Sequence, residues 1–160
     1  MNNEIKEIID NISKELKIDM YQGSDDRLNI QRVSSGIDQL DRILGGGIPK
    51  KRTIIFTGEF STGKTYLAQK IIESVQNNGG IAAFIDAEKA YDKKWFNLTG
   101  VNVDNLIVAQ PNFGDEAIDI LIELMKSNVD IIVLDSIAAL IPQEEYDEKT
   151  GKMQIGLQAR

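Results

Sequence analysis

Apolar residues recur along this chain in two rhythms, one helical and one strand-like, and the switches between them outline its elements. Ile5, Ile8, Ile9, Ile12 and Leu16 fall on one helical stripe across 4–17, with Lys and Glu on the other face. A helix this short is not stable alone and needs a surface to dock on, either its own domain or a neighbouring subunit. The polar stretch 19–32, with Gly23-Ser24-Asp25-Asp26, reads as a linker, and that separation favours the neighbour. Ser34-Ser35-Gly36 opens a short helix carrying Ile37, Leu40, Ile43 and Leu44. Gly45-Gly46-Gly47 ends it as a turn, and Pro49 prevents its continuation.

From Thr53 a regular alternation begins. The runs 53–57, 81–86, 106–109 and 130–135 are nearly all apolar, as parallel strands covered on both faces should be. Helical patterns separate them. The pattern over 64–77 buries Leu67, Ala68, Ile71, Ile72 and Val75 and is capped by Gly79-Gly80. A shorter one runs from Asp92 to about Thr99. The pattern over 115–127 buries Ala117, Ile120, Leu121, Leu124 and Met125. This order implies an α/β fold with a parallel sheet and right-handed crossovers. Ligands of such sheets bind beyond the carboxyl ends of the strands.

Polar residues stand at those ends. Gly58-Glu59-Phe60-Ser61-Thr62-Gly63-Lys64-Thr65 matches the spacing of the phosphate-cradling P-loop, with a strand-like run before it and a helical pattern after it. Its glycines let several N–H groups converge on a phosphate, and the following helix adds its positive dipole end. Lys64 is placed for the β- and γ-phosphates and the Thr65 hydroxyl for Mg²⁺. Asp135, closing Ile131-Ile132-Val133-Leu134, is the second metal-holding group, acting through water. Hydrolysis also needs a group to orient the attacking water. Ser136 follows Asp135, so that group comes from elsewhere. Asp86 and Glu88, two residues apart on a strand, point to the same side; Glu88 is read as the base and Asp86 as its support.

Composition narrows the setting. With 160 residues the chain fits one domain with a real core. It has no cysteine and no histidine, which excludes disulfides, thiolate sites and imidazole chemistry and suits a reducing cytoplasm. No apolar run approaches a membrane span, and the charged N-terminus is not a signal peptide. The net charge of −7 argues against clamping nucleic acid by bulk electrostatics.

Read together, these residues resemble the RecA family of bacterial DNA recombinases. The resemblance rests on Val33-Ser34-Ser35-Gly36 with Leu40-Asp41, and on Ala83-Phe84-Ile85-Asp86-Ala87-Glu88-Lys89-Ala90-Tyr91-Asp92. It continues through Gly100-Val101, Asp104-Asn105-Leu106, Gln110-Pro111 and Gly114. It ends with Val133-Leu134-Asp135-Ser136-Ile137-Ala138-Ala139-Leu140, Pro142, Gly156-Leu157 and Ala159-Arg160. The Asp-Ala-Glu segment is more specific than the P-loop and points to the bacterial or phage branch. The resemblance implies a P-loop NTPase core over 33–160, incomplete at its C-terminal end, with 1–32 as an N-terminal oligomerisation helix and linker. It implies ATP with Mg²⁺ as cofactors, Glu88 as the catalytic carboxylate, and Asp92 against the adenine amino group. Trp95 sits where the family stacks an aromatic on adenine; otherwise it is a core or surface aromatic. Gly58, Ser61, Thr62, Gly63 and Tyr66 complete the nucleotide-binding set. Phe60 departs from the family, which has Glu there; Glu59 replaces a Pro and Tyr66 a small residue.

The stretch 143–155 aligns with the family's first DNA-binding loop. Glu144, Glu145, Asp147 and Glu148 against Lys149 and Lys152 make a poor phosphate clamp. DNA contact then falls to backbone groups and an apolar wedge, Met153 or Ile155, with Gly156 and Arg160 beside them. The plainer reading is an acidic loop with no ligand. A complete family member continues well beyond Arg160, through a second DNA-binding loop. Two expectations follow: a recombinase that coats single-stranded DNA as a homo-oligomeric filament and hydrolyses ATP, or a truncated ATP-binding modulator that docks on a complete recombinase.

Overall fold

The computed structural model describes residues 3–140, and the sequence rhythms become five strands and five α-helices among them. Helix α1 spans Asn3–Leu16. Its apolar stripe stays open, with Ile5, Ile8 and Leu16 exposed. The expected linker is more ordered than its polarity suggests. Asp25 caps a 3-10 turn over Asp26–Leu28. Its carboxyl is held down to about 2 by the Arg27 side chain and backbone N–H. Strand β1 (Arg32–Val33) pairs antiparallel with β2 (Ile48–Pro49), Val33 facing Ile48. Pro49 is therefore a residue of a two-stranded ribbon as well as a helix stop. Between them lies α2 (Asp38–Ile43). Asp41 fastens its entry by accepting from Ser34 Oγ at 2.6 Å and Ser35 N at 2.8 Å.

The main sheet has three parallel strands in the order β4-β3-β5: β3 is Ala82–Asp86, β4 Leu106–Ala109 and β5 Ile131–Asp135. Phe84 registers with Val108 on one side and Val133 on the other. All of β3 is buried, as the central strand of a sheet covered on both faces must be. Helix α3 (Lys64–Asn77) sends Ile72 onto Ala82 and Phe84, joined by Phe96 of α4 (Lys93–Leu98) and by Val101. Helix α5 (Gly114–Lys126) lies between β4 and β5 in the chain and buries Ala117. Of the other residues expected inside, Ile120, Leu121 and Leu124 are half-buried and Met125 is 69% exposed. Leu67 is likewise half-buried.

One expected strand is absent. The run 53–57 joins no sheet, and Ile54, Ile55 and Phe56 are exposed. Apolar, β-branched composition makes a strand only where a neighbour satisfies the row of N–H and C=O groups. Among the described residues β5 is flanked by β3 alone, and nothing ladders with 53–57. No described helix is long and apolar enough to cross a membrane.

Candidate functional site

The P-loop lies where the unpaired run meets α3. Gly63 takes the left-handed conformation (φ 93°) as the N-cap of α3. Ser61 also has positive φ, 59°, an uncommon state for a residue with a Cβ. Thr62 Oγ1 donates to the Glu59 carbonyl at 2.9 Å and braces the turn. Lys64 Nζ folds back to donate to the carbonyls of Gly58 (2.9 Å) and Glu59 (2.8 Å). Its ammonium therefore sits at the mouth of the loop. Phe60 is 95% exposed, and Tyr66, one residue into α3 after Thr65, is also exposed.

Across the mouth stands the end of β5. Thr65 Oγ1 donates to Asp135 Oδ2 at 2.7 Å, joining residues 70 positions apart. A hydroxyl and a carboxylate are hard oxygen donors of the kind Mg²⁺ takes. No group of three acidic or other metal-binding side chains exists among the described residues. Two protein ligands fit an ion that keeps several waters and is shared with phosphates, so this donor set suits Mg²⁺.

The two acidic residues after β3 are not equivalent. Strand β3 ends at Asp86, so Glu88 lies beyond it in a turn, and the expectation that both point to one side as strand neighbours is corrected. Asp86, 2% exposed, accepts from Ala90 N (3.0 Å), Tyr91 N (2.9 Å) and Gln110 Nε2 (2.8 Å). Its carboxylate folds the turn that presents Glu88. Glu88 is exposed, and its Oε1 accepts from Ser136 Oγ at 2.6 Å. The backbone reinforces this placement, since Ala87 N donates to the Asp135 carbonyl at 2.9 Å.

Further along, Asp92 Oδ1 caps α4, accepting from Lys94 N (2.8 Å) and Trp95 N (3.2 Å). Trp95 is half exposed, so it is not a core aromatic. The core aromatics are Phe84, Tyr91 and Phe96, the last two with centroids 4.6 Å apart. Burial raises the Tyr91 hydroxyl above its ordinary value, with Asp104 and Asp92 adding to the shift. A cavity of about 90 Å³ opens among Thr65, Glu88, Asp135, Trp95 and the aromatics. A larger hollow, about 510 Å³, lies by Asp38, Arg42 and Gly46 and touches none of these groups.

Three contributors escaped the sequence reading. Gln110, at the end of β4, holds Asp86, and Ser136 holds Glu88. Gln69 is fully buried in the cavity wall. Position relative to strand ends points to the first two; for Gln69 the signal is a polar residue in the apolar stripe of α3. Met153, Ile155, Gly156 and Arg160 lie outside the described residues.

A P-loop at a helix N-terminus, facing strand-end carboxylates of a parallel sheet, defines the class of P-loop nucleotide-binding α/β proteins. The family model described as the RecA N-terminal domain matches residues 2–160, and this chain belongs to that family. It is similar to Protein RecA of Rippkaea orientalis, 48% identical over 142 residues that cover 88% of this chain and 41% of the relative. The Nostoc punctiforme and Gloeobacter violaceus RecA proteins are 46% and 45% identical over the same length, with 40% and 38% of each covered. The chain thus spans about two fifths of these relatives.

Proposed function

We propose that this chain supplies the nucleotide-binding and hydrolysing site of a RecA-type protein acting in DNA recombination and repair. One observation carries the reading. Thr65, Asp135-Ser136 and Glu88, from three separate stretches, are joined at one place by two short side-chain hydrogen bonds.

In this reading Lys64 leaves the Gly58 and Glu59 carbonyls for the β- and γ-phosphates of ATP, which the loop N–H groups and the start of α3 cradle. Thr65 and Asp135 would hold Mg²⁺, Asp135 through water, and the bound ion neutralises charge on the phosphates. Glu88, held by Ser136, orients the attacking water and takes its proton. Trp95 stacks on the adenine, and Asp92 meets its amino group with the oxygen not spent on capping α4. Tyr66 flanks the nucleotide. Met153, Ile155, Gly156 and Arg160 contact single-stranded DNA, and α1, with the segment 1–32, docks on a neighbouring subunit of a filament.

The test is ATP hydrolysis by this chain with and without single-stranded DNA, using Lys64→Ala as the blank. Turnover that rises with DNA and vanishes in the variant is expected; none above the blank rejects the hydrolytic reading. Glu88→Gln should bind ATP and lose hydrolysis, and normal turnover there removes Glu88 as the base.

The unpaired run 53–57 favours a second reading: a nucleotide-binding modulator that co-assembles with a complete recombinase through α1. Association that survives deletion of residues 1–18 rules it out.

A further inference from the structure

Gln69 lies four residues after Thr65 on α3, so both side chains face the same groove. Its neighbours in sequence pattern, Ala68, Ile71 and Ile72, are core residues, and Gln69 itself is 0% exposed. Neither its amide nitrogen nor its amide oxygen meets a hydrogen-bond partner in the protein. A buried carboxamide with no partner is costly, and folded proteins satisfy such groups with ordered water or a ligand. Gln69 lines the cavity of about 90 Å³ together with Thr65, Glu88 and Asp135.

We infer that Gln69 is a positioning residue: it holds a small cluster of ordered waters in this cavity, and the cluster in turn holds Glu88. The inference rests on the hydrolytic reading of Glu88 given above. The cavity meets both requirements for bound water. One water needs about 10–15 Å³, so there is room for several. Each also needs two to four polar partners. Thr65, Glu88 and Asp135 supply these along with the amide. Asp86, in the same lining, is already engaged by three donors. Phe84 and Phe96, both core residues, supply apolar lining to the same cavity. A carboxamide both donates and accepts, so it fixes the orientation of a water that faces a carboxylate. Ser136 fixes one oxygen of Glu88 from outside the cavity, and the water cluster fixes the carboxylate from within.

The variant Gln69→Leu keeps the side-chain volume and removes both polar atoms. Three readouts on the full chain decide the matter. The thermal midpoint should fall, because the waters lose an anchor; a rise of several degrees means the amide was an unsatisfied core group, and overturns the inference. A high-resolution crystal structure of the parent chain should show ordered waters bonded to Gln69, and a dry amide overturns it. With saturating MgATP, kcat should drop about tenfold with KM within about twofold, and the acidic limb of the pH profile should move. Unchanged kcat and profile overturn the positioning role. If the parent chain does not hydrolyse ATP, the hydrolytic reading fails, while the midpoint and the crystal structure still judge the water site.

Discussion

The phosphate-loop side and the carboxylate side of the site meet at the Thr65–Asp135 hydrogen bond, yet they are held in different ways. Every residue from 51 to 63 is exposed, and the run entering the loop pairs with nothing. The bonds that shape the loop are local, from Thr62 and Lys64 back to carbonyls three to six residues away. On the opposite side β3 is wholly buried, Asp86 accepts from three donors, and the turn carrying Glu88 is tied to β5. A carboxylate that must act on a water needs a fixed position before substrate arrives. A loop that wraps phosphate is completed by the phosphate itself, so it tolerates a less constrained start.

The largest effect tests the loop side through Lys64→Ala. On the proposed reading nucleotide binding should fall at least about a hundredfold, because the point charge assigned to the β- and γ-phosphates is lost. Stability should stay within about 0.5 kcal/mol of the parent, since Lys64 touches only surface carbonyls. Nucleotide titration and urea denaturation measure the two. An equally large loss of stability would show that the loop side is as tightly built in as the strand ends, and the contrast would collapse.

The carboxylate side should respond in the opposite sense. Asp86→Ala leaves Ala90 N, Tyr91 N and the Gln110 amide without their acceptor in a buried place. The expected cost is about 3 kcal/mol, read from the urea midpoint, together with loss of turnover as the Glu88 turn loosens. A change below about 0.5 kcal/mol would mean the turn folds without Asp86.

The same contrast marks what could be read from the amino-acid order. Strands β3, β4 and β5 and helices α3 and α5 are legible to within a residue or two, because their apolar periodicity is a local property. The pairing of Thr65 with Asp135 was legible as an expectation of proximity, since P-loop and strand end have a fixed relation in parallel sheets. The fate of 53–57 was not, because a strand is made by its neighbour, and pairing is not written in the run itself. Nor was the division of labour between Asp86 and Glu88. It depends on which backbone N–H and amide groups the turn after β3 brings to Asp86, and those contacts are not written in the apolar pattern of the run. Gln69 is not legible in the sequence, because one polar residue in an apolar stripe is an ordinary exception and only the fold leaves its amide without partners.

A smaller change separates position from stability on the carboxylate side. Ser136→Ala removes the donor to Glu88 Oε1 and leaves the Asp86 network intact. Ser136 is half-buried and its hydroxyl bonds only an exposed carboxylate, so the stability read from the urea midpoint should move by less than about 1 kcal/mol. If Glu88 acts as proposed, turnover should fall about tenfold, with nucleotide affinity retained, because Glu88 gains rotamer freedom. Steady-state kinetics beside a binding titration reads this directly. Parent-like kcat would mean that the Ser136 hydroxyl is not needed to place Glu88.

The smallest effect lies upstream of the loop, where Asp41 holds Ser34 and Ser35 against α2. The Ser34 hydroxyl, then Ser35, keep its carboxyl below the ordinary value of 3.8. A carboxyl depressed in the folded state contributes stability that is complete above the unfolded value and is lost as pH falls through the folded one. The β1–α2–β2 segment should therefore loosen below about pH 4, and Asp41→Asn should flatten that part of the pH dependence. Hydrogen exchange at the Ser35 amide, compared between neutral and acidic pH after correction for intrinsic rates, is the measurement. If protection there stays constant through the acid range, the clamp does not depend on the ionised carboxylate. The approach to the loop would then have no carboxylate anchor, and its contrast with the Asp86 side would sharpen. If protection falls with pH while β3 stays protected, the approach to the loop has one titratable anchor, weaker than the buried carboxylate across the site.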